Sequence, residues 1–183
     1  AHREIHFPKS YGALAQARER LVWEEILILQ LAVAGLRQGP VRTGSPVLSG
    51  GEELLEAFYK SLPFRLTSAQ GRVIGEIFED LARPQGMARL VQGDVGSGKT
   101  AVAMAALLRA VGSGYQGAMM APKEILALQH FQSLEKVFAP LGIGVVCLLG
   151  SQNKSVREKT LEMIAGGQAQ VVVGTHALIQ EKV

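Results

Sequence analysis

Gly93-Asp94-Val95-Gly96-Ser97-Gly98-Lys99-Thr100 fits the pattern G-x-x-x-x-G-K-[ST], and no other stretch constrains the fold of this chain as strongly. Such a loop works only between a strand and a helix, where its glycines let successive backbone N–H groups turn inward around a polyphosphate at the positive helix end. Both flanks are legible. Met87 to Gln92 is a mostly apolar run of strand length, and Thr100 to Val111 is rich in alanine and leucine, closed by Gly112-Ser113-Gly114. The expected ligand is a nucleoside triphosphate. Gly93, Asp94, Val95, Gly96, Ser97 and Gly98 form the cradle, with the amides of Gly96 to Thr100 on the α/β-phosphates and Asp94 facing outward. Lys99 stands between the β- and γ-phosphates, and the Thr100 hydroxyl completes the coordination of Mg²⁺.

Downstream the chain alternates strand and helix. Gln116–Ala121, Ile143–Leu149 and Gln170–Val173 read as strands, separated by helices over Glu124–Phe138 and Ser155–Ala165. With Met87–Gln92 this is β-α-β-α-β-α-β, an α/β fold of the P-loop NTPase kind with a parallel sheet covered by helices on both faces. Ligands of such sheets bind beyond the carboxyl ends of the strands. The phosphate loop, Ala121-Pro122-Lys123, Gly150-Ser151 and Gly174-Thr175-His176 all fall at such ends and are expected on one rim.

Upstream the pattern is helical. His2 to Pro8 reads as extended, and Ser10 as the cap of a helix reaching Arg37, amphipathic first and apolar all round over Ile26-Leu27-Ile28-Leu29. Gly39-Pro40 stops it, and Val41 to Gly50 reads as a loop. Ser49-x-x-Glu52 offers a capping box for a helix to about Ser61, and Thr67-x-x-Gln70 another for a helix ending before Arg83-Pro84. Residues 1–60 thus read as a helical connector and 61–183 as the nucleotide-binding part. Ile26 to Leu36 is too short and too near Glu24-Glu25 for a membrane span, no secretory leader is legible, and the single Cys147 cannot form a disulfide within the chain. An intracellular protein with no membrane partner is expected. The net charge of +3 includes 7 basic against 5 acidic residues over 101–183, which permits a phosphate-backbone partner without demanding one.

Leu62-Pro63-Phe64 with Leu66-Thr67 and Gln70, the phosphate loop, Ala121-Pro122-Lys123-Glu124-Ile125-Leu126 with Gln129-His130, and Val173 to Gln180 together resemble the RecG family. These are superfamily 2 DNA helicases that remodel stalled forks and junctions. Ile5-His6-Phe7-Pro8 and Leu21 to Leu31 resemble the segment joining that family's wedge domain to its motor. The motor of the transcription-repair coupling factor, which acts on a protein partner, is a similar alternative; the Gly96-Ser97-Gly98 loop, the ending His176 to Gln180 and the connector favour RecG. The resemblance implies a RecA-like fold, ATP with Mg²⁺, and DNA as partner in the form of forks and branched junctions, in a monomeric bacterial protein of the cytoplasm and nucleoid. It implies that Gln70 reads adenine and that Phe64 packs on the base, although Thr67-x-x-Gln70 read alone is a capping box. It also implies DNA-backbone contacts from Lys123, Gly150, Ser151, Thr175 and His176. Lys123 replaces the threonine expected after Ala121-Pro122. The family's Asp-Glu-x-His segment and its second motor domain, with an arginine finger, are not among these residues, so turnover is expected of the longer protein and not of residues 1–183 alone.

Overall fold

The Ser10 hydroxyl accepts a hydrogen bond from the Ala13 amide at 3.1 Å, and this cap starts the helix read from the sequence. The computed structural model describes residues 1–37 and 44–179, so the Gly39-Pro40 stop, the start of the following loop and Gln180 lie outside the described residues. The chain forms two compact units, Ala1–Thr43 and Gly44–Val183.

The first unit pairs α1 (His2–His6) with α2 (Tyr11–Arg37). His2 to His6 is thus a short helix and not the expected extended run. Pro8 acts one step later, holding Phe7 at φ −133° and ψ 66° and ending the helix there. The apolar block of α2 is not buried as expected: Ile26, Leu27, Ile28 and Leu29 are 44–68% exposed. Successive helical residues point about 100° apart, so four in a row face every direction and no single packed face can cover them all.

The second unit contains α3 (Glu52–Ser61), α4 (Ser68–Leu81), α5 (Lys99–Gly112), β1 (Gly117–Met120), α6 (Glu124–Phe138), β2 (Val145–Leu148), α7 (Lys154–Ala165) and β3 (Val171–Gly174), with short 3₁₀ turns at Ala139–Leu141 and His176–Ile179. These units divide at Thr43 and Gly44, before the expected 60/61 division. The helix Glu52–Ser61 belongs with the sheet because Leu55 and Phe58 are buried in its core.

The strands are parallel in the order β1-β3-β2, with Met119, Val173 and Cys147 in one row across the sheet. Alternation along β3 divides the core. Val171 and Val173 join Leu108, Leu134 and Phe138 on the face covered by α5 and α6, whereas Val172 joins Val146 and Leu148 under α7. The central strand is therefore buried on both faces, as a run of valines implies. Burying Phe58, Leu108, Leu134 and Phe138 stabilises the unit by roughly 1.5–3 kcal/mol each.

The fourth expected strand is corrected by the structure. Met87 to Gln92 forms no ladder, and Leu90 is 80% exposed. A strand needs a neighbour for its N–H and C=O groups, and among the described residues none runs beside this one. Arg89 holds the segment in its place, bridging to Glu76 and Asp80 of α4 at 2.6 Å each.

The Ser49-x-x-Glu52 capping box also does not form. Gly51, at φ 87°, starts α3 without a side-chain cap, and Glu52 turns instead to Arg109 of α5 at 2.7 Å. Arg109 Nη1 donates further to the carbonyls of Ser49 and Gly50, at 2.9 and 3.0 Å, and its guanidinium lies 4.2 Å over the Phe78 ring. Gly112 touches the Gly50-Gly51 backbone so closely that a Cβ there would collide with Gly51 Cα. Close backbone contact, rather than a cap, fixes this end of α3.

Candidate nucleotide site and strand-end rim

The phosphate loop owes its shape to two glycines. Gly96 and Gly98 both have φ 79°, in the left-handed region that a Cβ disfavours, and Gly98 hands the chain to α5 with no side chain capping the first turn. The leading amides of α5 are thus free of internal caps at the positive end of the helix dipole, the arrangement that binds phosphate. Asp94 folds its carboxylate onto the Val95 amide at 2.8 Å and remains exposed, while the Ser97 amide donates to the Asp94 carbonyl at 3.2 Å to close the turn. Lys99 Nζ donates to the carbonyls of Gly93 and Asp94 at 2.8 and 2.7 Å. Its ammonium lies across the loop, held only by neutral carbonyls, which a charged phosphate oxygen outcompetes. Thr100 is partly buried in the first turn of the same helix.

Gln70 joins this loop to α4. The capping box is complete: Thr67 Oγ1 accepts from the Gln70 amide at 3.2 Å, and Gln70 Oε1 accepts from the Thr67 amide at 2.8 Å. The other end of the carboxamide, Nε2, donates to the Ser97 carbonyl at 2.9 Å. A cleft of about 360 Å³ opens between them, lined by Thr67, Gln70, Val73, Gln92, Lys99 and Val102 among others. Its apolar wall beside a phosphate cradle suits a flat base. Phe64 does not line it. That ring is 49% exposed and faces a neighbouring hollow with Tyr59, Pro63 and Leu66.

The strand ends gather the second group of expected residues. Lys123 is exposed at the N-cap of α6, after β1, and Gly150-Ser151 follow β2. Thr175 and His176 follow β3, the strand between those two. Thr175 is only 2% exposed and its hydroxyl finds no partner, so among these residues it is the one whose side chain is not presented at the surface. His176 is exposed.

One residue of the rim was legible only as a neighbour of Lys123. Glu124 opens α6, and its carboxylate accepts from the Ser151 amide at 3.0 Å and the Ser151 hydroxyl at 2.7 Å, tying the loop after β1 to the loop after β2 across the end of β3. The Ser151 hydroxyl and then the Ser151 amide hold the Glu124 carboxyl below the usual carboxylate range against the opposing effect of burial, with lesser help from the Gly150 amide and His176. No local sequence rule foretells a carboxylate bonded to a residue 27 positions away. Cys147 lies in the strand below, its thiol pushed up by burial and then by the Glu124 charge. No helix among the described residues is long and apolar enough to cross a membrane.

With this geometry in hand, likeness to known proteins becomes specific. The family model "DEAD/DEAH box helicase" matches residues 67–183. The ATP-dependent DNA helicase RecG of Synechocystis sp. is 48% identical over 181 residues, covering 98% of this chain and 22% of that protein. RecG of Bacillus subtilis is 46% identical over 185 residues, covering 100% of this chain and 27% of the relative. A solved structure of RecG bound to a three-way DNA junction superposes with a TM-score of 0.85 at 45% identity, covering 97% of this chain and 24% of that one. A hypothetical ATP-dependent RNA helicase from Sulfolobus tokodaii, at 19% identity and a TM-score of 0.53, covers 70% of this chain and 35% of its own, and shares the fold. The chain therefore spans about a quarter of the length of its RecG relatives. On the match over residues 67–183 the chain belongs to the DEAD/DEAH box helicase family, and across nearly its whole length it is similar to RecG.

Proposed function

We propose that these residues form the nucleotide-binding part of an ATP-dependent DNA helicase of the RecG type, which hydrolyses ATP to translocate on duplex DNA and remodels stalled forks and Holliday junctions by branch migration. The observation that carries this reading is the uncapped first turn of α5 behind two left-handed glycines, with Lys99 lying across the loop. Lys99 exchanges its two carbonyl partners for phosphate oxygens, and the Gly93–Gly98 cradle holds the remaining ones. The Thr100 hydroxyl is suited to hold Mg²⁺, which would neutralise charge on the β- and γ-oxygens.

Gln70 can serve as cap and adenine reader together. A carboxamide has two N–H donors and two acceptor lone pairs, and the internal bonds use one donor and one acceptor. One of each remains for the adenine edge. Phe64 lines an adjoining hollow, so its packing on the base requires the ring to swing toward Gln70. At the rim, Lys123, His176 and the Gly150-Ser151 amides are positioned for DNA phosphates, with Thr175 contributing through its backbone. The RecG relatives favour junction DNA as partner over a protein-directed motor of the coupling-factor kind. The reading includes a monomer working in the bacterial cytoplasm at the nucleoid, with the first unit as its connector. Nucleotide titration of the full-length protein tests the site itself: Lys99→Ala is expected to weaken ATP binding and abolish hydrolysis, and unchanged turnover would overturn the assignment of this loop.

A further inference from the structure

The Gly150-Ser151 corner already holds an anion, and the anion belongs to the protein. Glu124 places both carboxylate oxygens on donors of Ser151, at 3.0 and 2.7 Å, beside the Gly150 amide. These are the groups that the proposed function offers to a DNA phosphate. A carboxylate and a phosphate diester present the same chemistry to such donors, paired oxygens sharing one negative charge, so they compete for one place.

We propose that Glu124 is a built-in competitor for the nucleic-acid backbone: in the DNA-free protein it occupies the Gly150-Ser151 donors, and a backbone phosphate must displace it to bind. Three features support this and rest on the DNA-binding reading of the rim. The corner does not need Glu124 for its shape, because Gln152 builds it from within, accepting from the Leu149 amide at 3.1 Å and donating to the Cys147 carbonyl at 2.9 Å. The competitor can leave, because it sits in the first turn of α6 at the protein surface, where its side chain can rotate into solvent. The Lys123 ammonium and the His176 ring N–H are exposed on the same rim and are left to the incoming phosphate when the carboxylate turns away. The device sets a threshold. Isolated anions in solution do not fill the corner, while a polyanion that also engages Lys123 and His176 does, since its other contacts offset the cost of moving Glu124.

The test uses full-length protein, a labelled three-way DNA junction and a linear duplex, with dissociation constants measured at two salt concentrations. Glu124→Gln removes the charge but keeps an acceptor for the Ser151 amide; Glu124→Ala removes both. Each variant is expected to bind DNA about 3- to 10-fold more tightly than wild type, the effect of one surface charge, with the gap narrowing at high salt. Unchanged or weaker binding by the isosteric Glu124→Gln, in a protein whose melting temperature matches wild type, overturns the proposal and makes the contact a structural clip. Lys123→Ala and Ser151→Ala separate the two levels. If both weaken DNA binding while Glu124→Gln fails to strengthen it, the competitor idea alone falls; if neither changes binding, the DNA-contacting rim falls with it.

Discussion

Gln70 donates to the Ser97 carbonyl at 2.9 Å while accepting from the Thr67 amide at 2.8 Å, so one side chain caps α4 and braces the phosphate loop. Gln70→Glu separates the two tasks. Glutamate still accepts from the Thr67 amide, but it has no N–H for Ser97 and sets a charge against that carbonyl. The melting temperature is expected to stay near that of wild type while nucleotide affinity falls about tenfold, equivalent to ~1.4 kcal/mol. Wild-type affinity in this variant would mean that the brace does not shape the site.

Arg109 closes the far end of α5. Its side chain is 12% exposed, bonds two backbone carbonyls and stacks on Phe78, whereas its ionic partner Glu52 is largely exposed. Burial decides which contacts matter, because an ion pair facing water is screened and a buried donor is not. Arg109→Ala is expected to cost about 2–3 kcal/mol of unfolding free energy in a denaturant titration. Glu52→Gln is expected to leave the transition almost unmoved; a large loss there would reassign the weight to the ion pair.

Two glycines near that end differ in why they are glycine. Gly112 meets the backbone of Gly50 and Gly51, and Gly114, at φ 85°, has open space around its missing Cβ. Gly114→Ala carries only the cost of left-handed backbone, about 1–2 kcal/mol. Gly112→Ala must separate α3 from α5 and is expected to cost more, about 2–4 kcal/mol. Equal melting temperatures for the two variants would contradict the close-contact reading.

Acid acts on the rim in a definite direction. The Glu124 carboxyl is held below its ordinary value of 4.5 by Ser151, so its stabilising contribution is present above that value and is lost as pH falls through the lower folded-state value. Ser151→Ala removes the chief cause. Thermal melts from pH 6 downward are expected to show a shallower acid decline in this variant than in wild type, and parallel curves would mean that the link adds nothing in solution.

Local chemistry made much of this molecule legible in advance. The helix starts at Ser10 and Thr67 follow from hydroxyls that can accept from nearby amides, and both caps are present. The valines of β3 announced a strand buried on both faces, and the phosphate loop announced its glycine geometry. What escaped was non-local. Met87 to Gln92 has strand composition, yet a ladder depends on a neighbour that composition does not supply. Ser49-x-x-Glu52 has the residues of a capping box, but Arg109, distant in sequence, takes Glu52 away from it. Phe64 and Thr175 were placed by motif, and packing decided their exposure. Glu124 illustrates the same limit, because its partner becomes a neighbour only once β1 and β2 flank β3.

The most direct test of the account is ATP turnover by the full-length protein with a three-way junction, a linear duplex or no DNA, each alongside Lys99→Ala. Turnover is expected to rise strongly with the junction, less with the linear duplex, and to be absent throughout in the variant. Equal turnover in all three conditions would contradict a junction-remodelling motor, and turnover surviving in Lys99→Ala would contradict the nucleotide site on which the account rests.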